Sequence, residues 1–319
     1  MKRRSARQRR QTYLWILSLV VAFSMVCSFV IMMRPPRPRP TPTPIPLIET
    51  STPTSQPTAA PATAGIPTPQ QQATPTSSAS FLQKAPTPFV VSKKENFIFA
   101  VCGDNRGGWQ VYKKILESVE RDGAAFLINT GDLVNHGHEA EFKEFSAFMK
   151  EFSLPFYPVP GNHDNGDGLL TAYLKYSGAP ARNYSFDYGL LHFSMVDSSM
   201  GELSKKDFQW LTQDLDSTKQ PVKIVVLHYP PFDPAGTDHI MFRGNQEFMK
   251  LMSDKGVQYV FAGHIHSYDD AVRDGVHYFI TGGAGAPLYP EPNRPAFYHY
   301  VRVHVNGTKL RTEVVRIEE

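Results

Sequence analysis

The sequence predicts an α/β or α+β fold: one globular domain over residues 93–319, placed after a basic tail, an apolar span and a proline-rich linker. Three observations predict it. Strand-like and helix-like segments alternate through the first half of the domain, which implies a parallel core. A closing run of strands implies antiparallel additions. Five strands end in Asp, Asn or His, and the carboxyl ends of strands form the ligand-binding edge of an open α/β sheet.

The chain begins with a charge imbalance. Its formal charge is +3, yet residues 1–39 hold nine bases and no acid, leaving 24 bases against 30 acids in the rest. The excess therefore lies in the cytoplasmic tail, residues 1–12, and just beyond the span, and no nucleic-acid-binding patch is evident on the domain. From Tyr13 to Met33, 21 residues carry no charge and eleven are Leu, Ile, Val or Phe. A helix of that length reaches roughly 30 Å, and those residues favour insertion by about 3 to 7 kcal/mol in sum, so the segment reads as a transmembrane signal-anchor. A cleaved signal peptide has a shorter apolar region and a small-residue exit, whereas this stretch runs into Met-Met-Arg. Six bases precede the span and three follow it, an order that keeps the N-terminus cytoplasmic and sends the domain across the membrane.

Residues 34–92 contain 15 of the 27 prolines among Thr, Ser, Gln and Ala. So little apolar surface does not offset the entropy of ordering, and the segment reads as an extended, disordered linker. Within the domain, strands are expected at "FIFAVC", "AFLINT", "PFYPVP", "LHFSMVD", "VKIVVLH", "VQYVFAG", "VHYFITG", "HYVRVHV" and "RTEVVRI", with "RNYSFDYG" as an aromatic hairpin. Helical periodicity covers residues 110–121, 139–152, 169–176, 204–215 and 246–255, with Ser204 as an N-cap and Asp207 in the first turn. Cys27 lies in the span and Cys102 in the domain, so no disulfide supports the fold.

The strand ends carry the chemistry. "AVCGD" delivers Asp104, "LINTGD" Asp132, "PVPGNHD" Asn162, His163 and Asp164, "IVVLH" His228, and "VFAGHIH" His264 and His266. Each alone is weak, since Gly-Asp after a strand is commonly a turn and a lone His commonly structural. Together, two carboxylates, an amide oxygen and three imidazoles form a mixed O/N donor set suited to divalent Mn, Fe or Zn.

The motifs "GD", "GDLVNHG", "GNHD", "H" and "GHIH", in this order, resemble the calcineurin-like metallophosphoesterase family, over approximately residues 96–319. The resemblance implies a four-layer sandwich, two central β-sheets flanked by α-helices, with two divalent ions. Asp132 would bridge them, Asn162, His228 and His264 would complete one site, and Asp104 and His266 would serve the other. It also implies hydrolysis of phosphomonoesters or phosphodiesters by in-line attack of a metal-bridging hydroxide. His163 would protonate the leaving oxygen or bind the phosphoryl group, with Asp164 orienting it by a hydrogen bond. Enzymes accelerate phosphate-ester hydrolysis by up to ~10²¹, while acid–base catalysis supplies only about 10² to 10⁴, so metal ions must carry most of the work.

The first motif departs from the family's frequent Asp-x-His, because Arg106 stands where that His would be. Protonated arginine has no lone pair to give a metal, so water, Asn135 or another side chain must complete that site. Arg106 either binds a non-bridging phosphate oxygen or forms a structural salt bridge. His136 and His138 read as loop residues, and His239 or Arg243 are candidate substrate contacts. A rival of a different class is a non-catalytic metal-binding scaffold on the same fold, against which the His163-Asp164 pair argues. Substrate identity and oligomeric state stay open at this point.

Overall fold

A computed structural model describes residues 95–318 apart from 292, 293 and 295. The basic tail, the apolar span, the linker and Cys27 lie outside the described residues. No helix among the described residues is long and apolar enough to cross a membrane.

The chain opens with β1 (Asn96–Cys102), α1 (Trp109–Arg121), β2 (Leu127–Asn129), α2 (Glu139–Phe148) and β3 (Phe156–Pro158). Then come α3 (Thr171–Tyr176), β4 (Tyr184–Tyr188), β5 (Leu191–Met195), α4 (Lys205–Ser217), β6 (Val222–Val226), α5 (Asn245–Asp254) and β7 (Tyr259–Ala262). It closes with β8 (Tyr268–Arg273), β9 (Val276–Thr281), β10 (His299–Asn306) and β11 (Lys309–Arg316). One sheet has the order β11-β10-β1-β2-β3 and the other β4-β5-β6-β7-β9-β8. The centres are parallel, β1-β2-β3 in one sheet and β5-β6-β7-β9 in the other. The antiparallel additions sit at the edges: β10, β11, β4 and β8.

The period-2 alternation of β6 shows how the layers stack. Ile224 and Val226 join the larger core with Phe99, Phe126 and Phe193, while Val225 and Leu227 join a second cluster with Leu211, Leu215, Phe248 and Met252 of α4 and α5. The sheets meet through aromatic edges, Phe99 against Phe193 at 5.4 Å and Phe126 against Phe186 at 5.9 Å between ring centroids. On the outer side of the first sheet, α2 packs on β3 through Phe145 and Phe156, 6.0 Å apart. This is the two-sheet sandwich flanked by helices that the sequence implied.

Local signals explain the start of α4. Ser204 Oγ accepts from Asp207 N (3.2 Å) and Asp207 returns a carboxylate to Ser204 N (3.1 Å), a reciprocal cap that starts α4. The helix expected over 139–152 ends its α-geometry at Phe148 and finishes in a 3₁₀ turn, Met149–Glu151. β8 was absent from the sequence reading. Its segment, YDDAVR, is an exposed edge without apolar alternation, and it becomes a strand by antiparallel pairing with β9.

Candidate metal centre

The parallel strands β1, β2, β3, β6 and β7 deliver their following loops to one edge of the sandwich. Of the six non-glycine residues with positive φ among those described, Asp104, Arg106, Asp132 and His264 lie in these loops. Backbone in this region is costly for residues with a Cβ, so the fold holds these four in place against local preference. The glycines of the motifs answer to space. A Cβ on Gly161 would stand 2.2 Å from Asp132 Oδ1, and one on Gly263 would stand 2.5 Å from Asp104 Oδ2.

All six predicted metal ligands converge. His228 Nε2 lies 3.0 Å from Asn162 Oδ1 and 3.4 Å from Asp132 Oδ1. His264 Nδ1 lies 3.0 Å from Asn162 Oδ1 and 3.3 Å from His228 Nε2. On the other side, His266 Nε2 is 3.4 Å from Asp104 Oδ1, and Asp104, Asp132 and His266 bring one ligand atom each within 4.8 Å of one another.

Backbone carbonyls decide where the imidazole protons sit. His228 Nδ1 donates to Thr130 O (2.9 Å) and His266 Nδ1 donates to Pro287 O (2.6 Å). In the neutral ring of His228 the Nε2 atom is then a bare lone pair turned toward the centre. Around His228 Nε2 stand an amide oxygen and a carboxylate oxygen, acceptor facing acceptor, with the Nδ1 of His264 beside them. Such a set repels itself unless a cation stands among the donors. Donors held about 2.1 Å from an ion such as Zn²⁺ stand roughly 3.0 to 3.4 Å from one another, so these residues fit the divalent ions that the family uses.

The electrostatics agree. His264 is pushed down to about 3, first by burial and then by His228, and so is neutral and able to ligate at ordinary pH. Burial raises Asp132 above the usual carboxylate range, with the charge of Asp104 adding to it. Burial would likewise raise Asp104, but the hydrogen bond to His266 and the charges of His228, His266 and His264 bring it below its ordinary value. Two carboxylates this close and this dry need positive charge between them.

His163 stands beside the centre. Its backbone N–H donates to Asp132 Oδ1 (2.9 Å), and its Nδ1 donates to Asn135 O (2.6 Å). That leaves Nε2 free for the cavity that His163 lines. The expectation that Asp164 hydrogen-bonds His163 is not met. Asp164 Oδ1 accepts from Leu133 N (2.8 Å) and Val134 N (3.2 Å), and Oδ2 accepts from Gly161 N (2.9 Å). Adjacent residues of the tight turn Asn162–Asp164 point in different directions, so Asp164 goes under the loops and ties them together while a carbonyl holds His163. Burial and the charge of Asp132 raise Asp164 well above the usual range.

Arg106 also lines the cavity. The salt-bridge reading of this residue fails, since among the described residues no carboxylate pairs with its guanidinium and its buried Nε has no partner. Asn135 gives its carbonyl to His163, and its Nδ2 would lie 3.0 Å from a Cβ on Gly107. His136 and His138 are exposed loop residues at the start of α2, where Glu141 Oε2 accepts from both of their backbone N–H groups at 3.1 Å. His136, His138 and Glu141 form a loose surface trio of donor atoms.

The cavity measures about 290 Å³ and is lined by Arg106, Asp132, His163, His239, His264, His266 and Tyr289. His239 is the loop residue that reaches it, whereas Arg243 pairs with Glu202 at 3.5 Å and lines a groove of about 630 Å³ between α4 and α5. Tyr289 was missed. It stacks on His266 with ring centroids 4.3 Å apart, and its only signal was an aromatic closing the glycine-rich "TGGAGAPLY". Tyr229, tilted against His264 with ring centroids 3.8 Å apart, was also missed, since nothing marks it apart from its place after His228.

A two-sheet sandwich with this mixed donor set and a histidine beside it has the parts of a metal-dependent hydrolase. A match to the calcineurin-like phosphoesterase family spans residues 97–268, more than half of the chain, and the chain belongs to that family. Over 227 residues it is 25% identical to the 3',5'-cyclic adenosine monophosphate phosphodiesterase CpdA of Escherichia coli K12, covering 66% of this chain and 82% of that relative. It is 28% identical over 153 residues to a probable glycerophosphodiester phosphodiesterase GpdQ of Arcobacter nitrofigilis, covering 44% of this chain and 56% of that one. Among solved structures it resembles the purple acid phosphatase PPD1 of yellow lupin, with a TM-score of 0.58 and 17% identity over 72% of this chain and 52% of that one. The protein is a hydrolase acting on phosphoester bonds.

Proposed function

We propose that this chain hydrolyses phosphomonoesters or phosphodiesters with two divalent ions, and presents that centre on the outer side of a membrane. The observation that carries the reading is the convergence of ligand atoms, His228 Nε2, His264 Nδ1, Asn162 Oδ1 and Asp132 Oδ1, at 3.0 to 3.4 Å, with the His228 ring proton held on the far side by Thr130 O. Asp132, Asn162, His228 and His264 would hold one ion, and Asp104, Asp132 and His266 the other. Mn, Fe and Zn suit the donors. When bound, the ions supply a hydroxide nucleophile at neutral pH and neutralise charge on the phosphoryl oxygens.

The chain's own groups do the rest. Asn135 O holds the His163 Nδ1 proton and so turns Nε2 to the cavity, where the imidazolium form would donate its Nε2 proton to the leaving oxygen. Arg106 binds a non-bridging phosphoryl oxygen. Asp164 holds the Asp132 loop against the turn carrying Asn162 and His163. The named relatives act on diesters, which supports an ester substrate without fixing which one.

The test is metal content by mass spectrometry together with turnover of chromogenic phosphate esters after loading with Mn, Fe or Zn. Asp132→Asn is expected to lose metal and turnover together while keeping its circular dichroism. A folded wild-type protein that binds metal yet hydrolyses neither ester class would establish the scaffold alternative. For the location, protease added to intact cells should cut the linker, residues 34–92, and release the domain. Protection of the domain would reject the outward orientation.

A further inference from the structure

We infer that Arg106 makes this centre selective for the dianionic phosphate of monoesters over the monoanionic phosphate of diesters, an inference that rests on the phosphoesterase reading above. The residue is held firmly in place. Its backbone N–H donates to Asp132 O (3.1 Å), and its φ of 34° is shared in kind with Asp104, Asp132 and His264. The residue before it is anchored by its side chain, Asn105 Nδ2 donating to Leu133 O (2.7 Å) while Asn105 Oδ1 accepts from Asn129 Nδ2 (3.1 Å). Behind it Gly108 N donates to Asn105 O (2.6 Å), and a Cβ on Gly108 would meet Gly285 O at 2.2 Å. A loop fixed this way places the guanidinium at little ordering cost on binding.

Among the described residues the guanidinium has no protein counter-ion. Arg294 and Arg302 pair with Asp233 and Asp122, but the carboxylates nearest Arg106 are otherwise engaged. Asp104 accepts from His264 N with both oxygens, and Asp132 Oδ1 accepts from His163 N. Arg106 Nε is buried and unpartnered on the wall of a cavity that also holds His163, Asp132 and His266. A buried orphan donor on a permanent cation points to an anionic ligand.

The choice of anion follows from counting oxygens and charge. A monoester offers three non-bridging oxygens and, above its second ionisation, two charges. A diester offers two oxygens and one charge, and its second ester arm takes the place of the third oxygen. A metal centre that takes two oxygens leaves a monoester one more for the arginine and leaves a diester none.

The experiment compares kcat/KM for p-nitrophenyl phosphate with that for methyl p-nitrophenyl phosphate, which share a leaving group, using the Mn-loaded full chain. Binding of inorganic phosphate and of dimethyl phosphate is measured by calorimetry on the same proteins. Wild type should favour the monoester, and Arg106→Ala should lower the monoester-to-diester ratio about tenfold or more, through KM and phosphate affinity. Arg106→Lys should recover part of the ratio, and both variants should keep the wild-type melting temperature and metal content. An unchanged ratio in Arg106→Ala, or a wild type that prefers the diester, overturns the inference. No turnover of either ester by wild type instead overturns the phosphoesterase reading. Calorimetry then still decides for Arg106, because equal phosphate affinity in wild type and Arg106→Ala rejects it.

Discussion

Two clusters of histidine and aspartate, one buried at the strand ends and one partly buried around His192, differ in protons. Around His192, every contact has a donor. Its Nδ1 meets Asp187 Oδ1 at 2.7 Å and its Nε2 meets Asp214 Oδ2 at 3.0 Å, while Ser185 and Ser194 donate to Asp214 and Gln220 donates to Asp187. Around His228, the same residue types meet acceptor to acceptor, because Thr130 O has taken the ring proton. The first cluster is complete within itself and joins β4, β5 and α4. The second is complete only with a cation. Proximity of His and Asp therefore does not define a site, whereas the balance of donors and acceptors does.

The sharpest way to break this comparison is the same substitution in both clusters. His228→Ala should strip metal and lower turnover by about 10³-fold or more, with little loss in the melting temperature of the metal-free protein. Substitution beside the centre comes next. His163→Ala should keep its metal and lose about 10² to 10⁴ in kcat, less for esters with good leaving groups that need no proton. A His163→Ala protein that kept full turnover on poor leaving groups would remove His163 from the chemistry. His192→Ala should leave metal content and kcat/KM unchanged while destabilising the fold by about 1 to 3 kcal/mol in denaturant titrations, since it strands two carboxylates. Altered metal affinity in that variant would mean that the two clusters are coupled.

The smallest effect is a pH dependence. Burial alone would lower His192, but hydrogen bonds to Asp214 and Asp187 hold it above its ordinary value. Folding therefore takes up a proton here, and the stabilisation is complete below about pH 6.5 and lost as pH rises through the raised folded value. For Asp214, burial is outweighed by hydrogen bonds from His192, Ser185 and Ser194, which lower it. Its contribution is present above the ordinary Asp range and lost as pH falls through the lowered folded value. Melting temperature followed against pH should lose the alkaline decline in His192→Phe, and an unaltered profile would assign that decline to other groups.

Much of the centre was legible in the sequence because each candidate ligand follows a strand and carries its chemistry in its side chain. Asp104, Asp132, Asn162, His228, His264 and His266 could be named from "GD", "GNHD", "IVVLH" and "GHIH" once the strands were placed. The parallel centres and antiparallel edges followed from element order. β8 was not legible, because an exposed edge strand has no apolar period and forms through its neighbour. Neighbourhood in sequence also misled: Asp164 follows His163 directly, yet it binds the backbone of residues 133, 134 and 161.

By itself the sequence determined which donors exist, the family they belong to and the departure at Arg106. Tertiary structure alone decided what those donors face. The carbonyls of Thr130, Pro287 and Asn135 set the protons of His228, His266 and His163, and any residue type presents the same carbonyl. Whether Arg106 had a counter-ion was likewise decided in three dimensions, where the nearby carboxylates had already found their donors among the loops. Side-chain identity is written along the chain, but the direction of a main-chain dipole and the occupancy of a lone pair exist only after the strands have brought distant loops together.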